Sequence, residues 1–289
     1  MSETIGIIGP GRLGLSLGSA LAQAGAVDSL VYFGRAMEPP PHPLFDGSVP
    51  ATYSTGYGPV PAGVRLLVLA VPDDAVHEVA NEVAGAGPAP GGCVALHLSG
   101  ALSTDVLAPL SGAGYAVGSM HPLQTVADPW SGADRLRGCA YALAGDPAAL
   151  RAAFSVVSSL DGRPLVIPPA LRPLYHSAAV FASNYVVAAA AVLARTLAEA
   201  GVAEDEAIAA VVPLMRGTMD NVQQLGLGAA LTGPVARGDV DTVRLHLSRL
   251  SSRERHLYSA LGLETVNLAR AAGLDPERAE ELEELLADR

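Results

Sequence analysis

Three glycines set the first chemistry. The run Gly9-Pro10-Gly11-Arg12-Leu13-Gly14 directly follows the apolar residues 5–8 and opens a segment with leucines at 13, 17 and 21. Gly9 suits a tight turn, and Gly11 has no Cβ to keep phosphates from the backbone. Gly14 lets a helix pack closely on a strand. Free N–H groups and a partial positive charge at a helix N-terminus favour a pyrophosphate. The spacing therefore predicts a dinucleotide site made of Gly9, Pro10, Gly11, Arg12, Leu13 and Gly14.

The next strand ends Phe33-Gly34-Arg35, with no carboxylate where a ribose 2′-hydroxyl would need one. Arg35 offers a bidentate fork to a 2′-phosphate, so NADP is expected rather than NAD. Val71 and Pro72, closing the strand at 64–71, and Ser99, just after the strand at 93–98, are expected to line the same crevice. Asp73 or Asp74 is expected to cap the following helix.

Reduction of a carbonyl or imine by such a cofactor needs a proton donor and a substrate anchor. All 18 basic residues are arginine, so no lysine is available as acid, base or Schiff-base former. His176 is expected as donor, with Ser183 and Asn184 two turns further on the same helix face. His121, at the end of another strand, is expected to orient substrate or nicotinamide. His97 lies inside an apolar strand and is read as structural. Arg237, in Thr232-Gly233-Pro234-Val235-Ala236-Arg237-Gly238-Asp239, is expected to clamp a substrate carboxylate or to make a loop salt bridge; Asp239 is read as a helix cap. The histidines show no HxH or HxxxH spacing, so no metal site is expected.

The elements that position these groups alternate. Strands are expected at 5–8, 29–33, 64–71, 93–98, 116–120, 140–144 and 164–167, with helices between them and a long surface excursion at 36–61. That order predicts an α/β class: an N-terminal doubly wound parallel sheet. After Pro168-Pro169 the pattern becomes helical, with a long helix at 172–200, others at 204–225, 253–272 and 276–287, and one capped by Asp239. The expected division is a cofactor domain at 1–168 and an all-α domain at 169–289.

The sequence resembles Rossmann-like proteins with a C-terminal helical domain of unknown function, related to ketopantoate reductases, prephenate dehydrogenases and pyrroline-carboxylate reductases. The residues that carry this are Gly9 to Gly14, Val68-Leu69-Ala70-Val71-Pro72-Asp73, His97-Leu98-Ser99-Gly100, His121-Pro122-Leu123-Gln124, Tyr175-His176 through Ser183-Asn184, and residues 231–239. The resemblance implies NADPH-dependent reduction of a small 2-keto acid, with 2-dehydropantoate in pantothenate synthesis as the specific expectation. An imine reductase, a prephenate-type dehydrogenase, and a non-catalytic NADP sensor are the alternatives. Those ketopantoate reductases use a lysine as proton donor, and here another group must serve.

Bulk composition narrows the partners. The 289 residues carry a formal net charge of −11, which disfavours nucleic acid and anionic membrane surfaces. Cys93 and Cys139 form no CxxC pair and suit a reducing cytoplasm. Residues 178–194 are almost wholly apolar but carry Ser183, Asn184 and Tyr185. They are read as a buried helix, not a span, and as part of a homodimer interface.

Overall fold

A computed structural model describes residues 4–47 and 49–287. The chain runs β1 (Thr4–Ile8), α1 (Arg12–Gln23), β2 (Ser29–Gly34), β3 (Ala51–Thr55), β4 (Val64–Leu69), α2 (Val76–Ala86), β5 (Val94–His97), α3 (Ala108–Gly112), β6 (Ala116–Pro122), α4 (Gly132–Leu136), β7 (Ala140–Gly145), α5 (Pro147–Ser159), β8 (Arg163–Val166) and α6 (Arg172–Ala182). It continues through α7 (Asn184–Glu199), α8 (Glu204–Leu225), α9 (Leu227–Ala230), α10 (Val240–Arg249), α11 (Ser252–Ala271) and α12 (Pro276–Ala287). Its contacts divide it into two compact units, Met1–Ser183 and Asn184–Arg289.

The first unit is one eight-stranded sheet in the order β3-β2-β1-β4-β5-β6-β7-β8. The apolar alternation along β4 explains its central place. Leu66 and Val68 enter one core layer with residues of α1, α4 and α5; Val64, Leu67 and Leu69 enter the other with residues of α2 and α3. Burial on both faces is what a central parallel strand requires. Close packing of α1 on the sheet rests on the buried Tyr32, whose hydroxyl donates to Gly14 O at 3.0 Å and fills the space a Cβ on Gly18 would need.

Four expectations change. The excursion at 36–61 contains β3, which pairs in parallel with β2 through Leu30↔Ala51 to Gly34↔Thr55. Ala51–Thr55 is short, polar and on the sheet edge, so its alternation is weak; the Tyr53 hydroxyl fastens it to Ala36 O at 2.8 Å. The sheet is not wholly parallel, because β7 runs antiparallel to β6. Asp73 and Asp74 do not cap α2: both lie in a short 3₁₀ turn, and no side chain caps the helix start. The helix at 172–200 is two helices. Ser183, at φ −125° and ψ −74°, breaks it, so the two-turn register from His176 to Ser183 and Asn184 is lost.

In the second unit Asp239 caps α10 as expected, accepting from Thr242 N at 3.1 Å. Val240, Val243, Leu247, Val266, Ala279, Leu282 and Leu286 make its core from α10, α11 and α12. The hairpin of α7 and α8 contributes little to that core and keeps much of its apolar surface exposed.

Candidate active site

The glycine-built turn forms as its spacing requires. Gly9 sits at φ +100°, and a Cβ there would lie 2.5 Å from Ala70 O. A Cβ on Gly14 would collide with Gly9 O, whereas one on Gly11 would meet nothing within 4 Å. Close packing beneath and open space above leave the backbone of Gly11 and the first turn of α1 facing a groove.

Two grooves share Gly11, Val71 and Pro72. One, of about 310 Å³, is lined by Gly9, Pro10, Gly34, Arg35 and Tyr57, with Glu78 and Glu82 of α2 opposite. The other, of about 430 Å³, is lined by Arg12, Leu13, Asp73, Ser99, Gly100, His121, Gln124 and His176. Nine of the ten residues expected around a cofactor line one groove or the other, and Gly14 supports the turn from below. The sequence reading missed Tyr57, Glu78 and Glu82. The carboxylates sit one helical turn apart on α2, on a face that was legible only once α2 was placed.

Ser99 ties three segments together. Its Oγ donates to Asp73 Oδ2 at 2.7 Å and accepts from Ala101 N at 3.2 Å and Leu102 N at 3.1 Å. Its carbonyl accepts from Arg172 Nη2 at 2.5 Å. Arg172 is fully buried at the start of α6, and its Nε and Nη1 have no partner. Asp73, expected as a cap, thus holds the strand ends in register instead.

His121 and His176 meet over Gly100. A Cβ on Gly100 would lie 2.5 Å from His176 Nδ1 and 2.9 Å from His121 Nε2. The two rings have centroids 6.0 Å apart and are nearly perpendicular. His121 Nδ1 is 2.8 Å from the Tyr175 hydroxyl, a partner the sequence reading did not single out. Burial first, and then the charges of Arg172 and His176, push His121 down to about 4. His97 is enclosed, accepting from Ser99 N at 3.2 Å; burial, then Arg172 and His121, push it down to about 3. Burial raises Tyr175 to about 12, against the opposing pull of Arg172. The groove thus presents two neighbouring half-buried imidazoles, and His121 is neutral near pH 7.

Ser183 ends α6 and does not line the groove. Asn184 and Arg237 belong to the second unit, where the exposed Arg237 lies 4.0 Å from Asp239. Among the described residues no cluster of three His, Cys, Asp or Glu side chains is placed to hold a metal.

A Rossmann-like domain family matches residues 2–122, and a domain of unknown function, DUF2520, matches residues 139–265. The chain carries a Rossmann-like domain followed by DUF2520. The DUF2520 match begins at Cys139 and so includes β7, β8 and α6, with Arg172, Tyr175 and His176, all of which lie in the first unit. No curated protein matches the sequence significantly. Among solved structures, protein TM1727 of Thermotoga maritima is similar at a TM-score of 0.64 and 24% identity, over 97% of this chain and 98% of that one. Pyrroline carboxylate reductase of Plasmodium falciparum, solved with NADP bound, gives 0.63 and 14% over 98% of both chains. Reductive aminase of Aspergillus terreus, solved with NADPH and ethyl-5-oxohexanoate, gives 0.55 and 15% over 99% and 93%. At these identities the likeness is one of fold.

Proposed function

We propose that the chain is an NADPH-dependent oxidoreductase that reduces the carbonyl or imine group of a small carboxylate. The observation that carries this reading is the continuity of the two grooves at Gly11: a glycine cradle open to phosphates adjoins two imidazoles over Gly100. The residues fit the cofactor. Gly9, Gly11 and the first turn of α1 suit its pyrophosphate, Arg35 and Tyr57 its phosphorylated ribose, and Val71, Pro72 and Ser99 its nicotinamide end.

When bound, the cofactor supplies the hydride. His121 donates a hydrogen bond to the reacting oxygen or nitrogen and delivers the proton, while His176 orients the same atom from the other side of Gly100. The lead role passes from His176 to His121 because the buried Nδ1 of His176 has no partner, whereas His121 is backed by Tyr175. This arrangement also removes the need for a lysine. Ketopantoate is the first substrate to try, on the resemblance; the likeness to a pyrroline carboxylate reductase and a reductive aminase favours a cyclic or open-chain imine as the second.

A second copy of the chain is the partner this reading calls for. Val187 of α7 is 70% exposed, and Leu214 and Met219 of α8 are 68% and 61% exposed. The helical stretch Pro169–Glu199 is long and apolar enough to cross a membrane by composition. It is broken at Ser183 and followed by the acidic start of α8, so a protein surface suits it better than lipid. Two unpaired cysteines, one of them buried, suit the cytoplasm.

The test is loss of NADPH absorbance with a panel of 2-keto acids and imines. Turnover of any member supports the reading. Tight NADPH binding with no turnover across the panel replaces it with a non-catalytic NADP-binding role.

A further inference from the structure

Tyr175 has a place in the site that the proposed reaction does not yet use. It sits in the first turn of α6 with its hydroxyl 2.8 Å from His121 Nδ1, on the side of the imidazole away from the groove. The two rings are 5.7 Å apart and 83° to one another, so the hydroxyl meets the imidazole edge and not its face. His121 Nε2 lies at the groove, beside Gly100.

A phenol is the stronger acid of such a pair and an imidazole the stronger base, so the Tyr175 O–H donates and Nδ1 accepts. A neutral imidazole that accepts at Nδ1 carries its proton on Nε2. The groove therefore faces an N–H. We propose that Tyr175 is a positioning residue that fixes the His121 tautomer and refills Nδ1 when the Nε2 proton leaves. This rests on the reductase reading above.

The proton balance closes. The Nε2–H bond breaks as an O–H or N–H bond forms on the reduced substrate. The Tyr175 O–H bond breaks as Nδ1–H forms. A tyrosinate remains, and solvent reprotonates it through the half-buried edge of Tyr175 before the next turnover. A neutral imidazole alone is too weak an acid to give up its single N–H, so concerted refilling is what lets His121 act without first becoming cationic.

Arg172 completes the device. It is a fully buried cation with two guanidinium nitrogens, Nε and Nη1, unpartnered and, among the described residues, no carboxylate at ion-pair distance. Leaving a buried charge uncompensated is costly, and a tyrosinate beside it relieves that cost. Burial lowers the pKa of Arg172 against the raising pull of Tyr175 and Asp73, and Arg172 in turn lowers the pKa of Tyr175 against the effect of burial. The other groups facing the pair are His97 of β5, His176 of α6, Asp73 after β4, and Cys139 before β7.

The experiment is ¹⁵N NMR of histidine-labelled full chain without cofactor, together with turnover of whichever panel substrate is accepted. In the wild type the His121 signals show Nε2–H and an acceptor Nδ1. In Tyr175→Phe, which removes one half-buried hydroxyl, the tautomers mix, kcat falls by about 10- to 100-fold, and KM and NADPH affinity change less than about two-fold, since binding groups are untouched. A fluorotyrosine at position 175, a more acidic phenol of nearly the same size, moves the basic limb of the kcat profile to lower pH and serves if Tyr175→Phe folds poorly. An Nδ1–H tautomer in the wild type, or an unchanged tautomer and pH profile in Tyr175→Phe, overturns the proposal alone. A wild-type chain that turns over no carbonyl or imine overturns the reductase reading and the relay with it.

Discussion

A side chain on Gly100 would place its Cβ 2.5 Å from the Nδ1 of His176, so this glycine sets the seat of that imidazole. The same Cβ would press His121 Nε2 at 2.9 Å. Gly100→Ala must therefore move both rings, at an overpacking cost of about 1–3 kcal/mol. The expected outcome is a fall in kcat of at least about 10-fold, the scale of a displaced general acid, with NADPH affinity changing less, because the groups proposed for its phosphates, the Gly9 to Gly14 turn and Arg35, are untouched. Steady-state kinetics beside a binding titration checks it; unchanged kcat would show that the histidines do not act on the substrate.

Arg35 is the cation that lines the phosphate groove beside Tyr57. Arg35→Ala removes a charged hydrogen bond to the 2′-phosphate worth about 1.5–3 kcal/mol. NADPH binding should weaken by roughly 10- to 150-fold for that loss, and NADH binding should not change. Equal weakening of both would mean that Arg35 does not read the phosphate.

His97 and His121 make the fold acid-sensitive. Both are held neutral, chiefly by burial, with their pKa values lowered from 6.5 to about 3 and about 4. The unfolded chain therefore binds more protons as pH falls. The stability these two groups confer is present above about pH 6.5 and is lost below it, down through about 4 for His121 and about 3 for His97. Each contributes a slope of about 1.4 kcal/mol per pH unit inside its window. Urea denaturation from pH 7 to 4.5 should show this decline, and His97→Asn, which keeps an acceptor for Ser99 N, should make it shallower by about one proton.

Leu214 is 68% exposed on the hairpin of α7 and α8. If a second copy covers it, Leu214→Arg should convert a dimer to a monomer in light scattering, with the melting temperature becoming independent of protein concentration. A wild-type monomer at micromolar concentration would remove the dimer from the account.

Much of this was legible because it rests on local rules. The Gly9 to Gly14 run needs only neighbouring residues to be recognised, and the burial of β4 on both faces follows from a run that is apolar at every position but Arg65. What stayed hidden depends on distant partners. Arg172 and Tyr175 precede His176 in a segment that looks like the start of a helical domain, and only the fold brings them to Ser99 and His121. Asp73 reads locally as a cap, yet it accepts from a serine 26 residues away. The break at Ser183 has no glycine or proline to announce it. β3 was missed because five mostly polar residues on a sheet edge leave little alternation to read.

The central claim is that the groove over Gly11 seats NADPH. Calorimetric titration of the full chain with NADPH tests it most directly. The account predicts one saturable site per chain, weakened at least about 10-fold by Gly11→Val, whose side chain enters the space that phosphates need. No heat and no thermal stabilisation from NADPH or NADH, or equal binding by wild type and Gly11→Val, would contradict it.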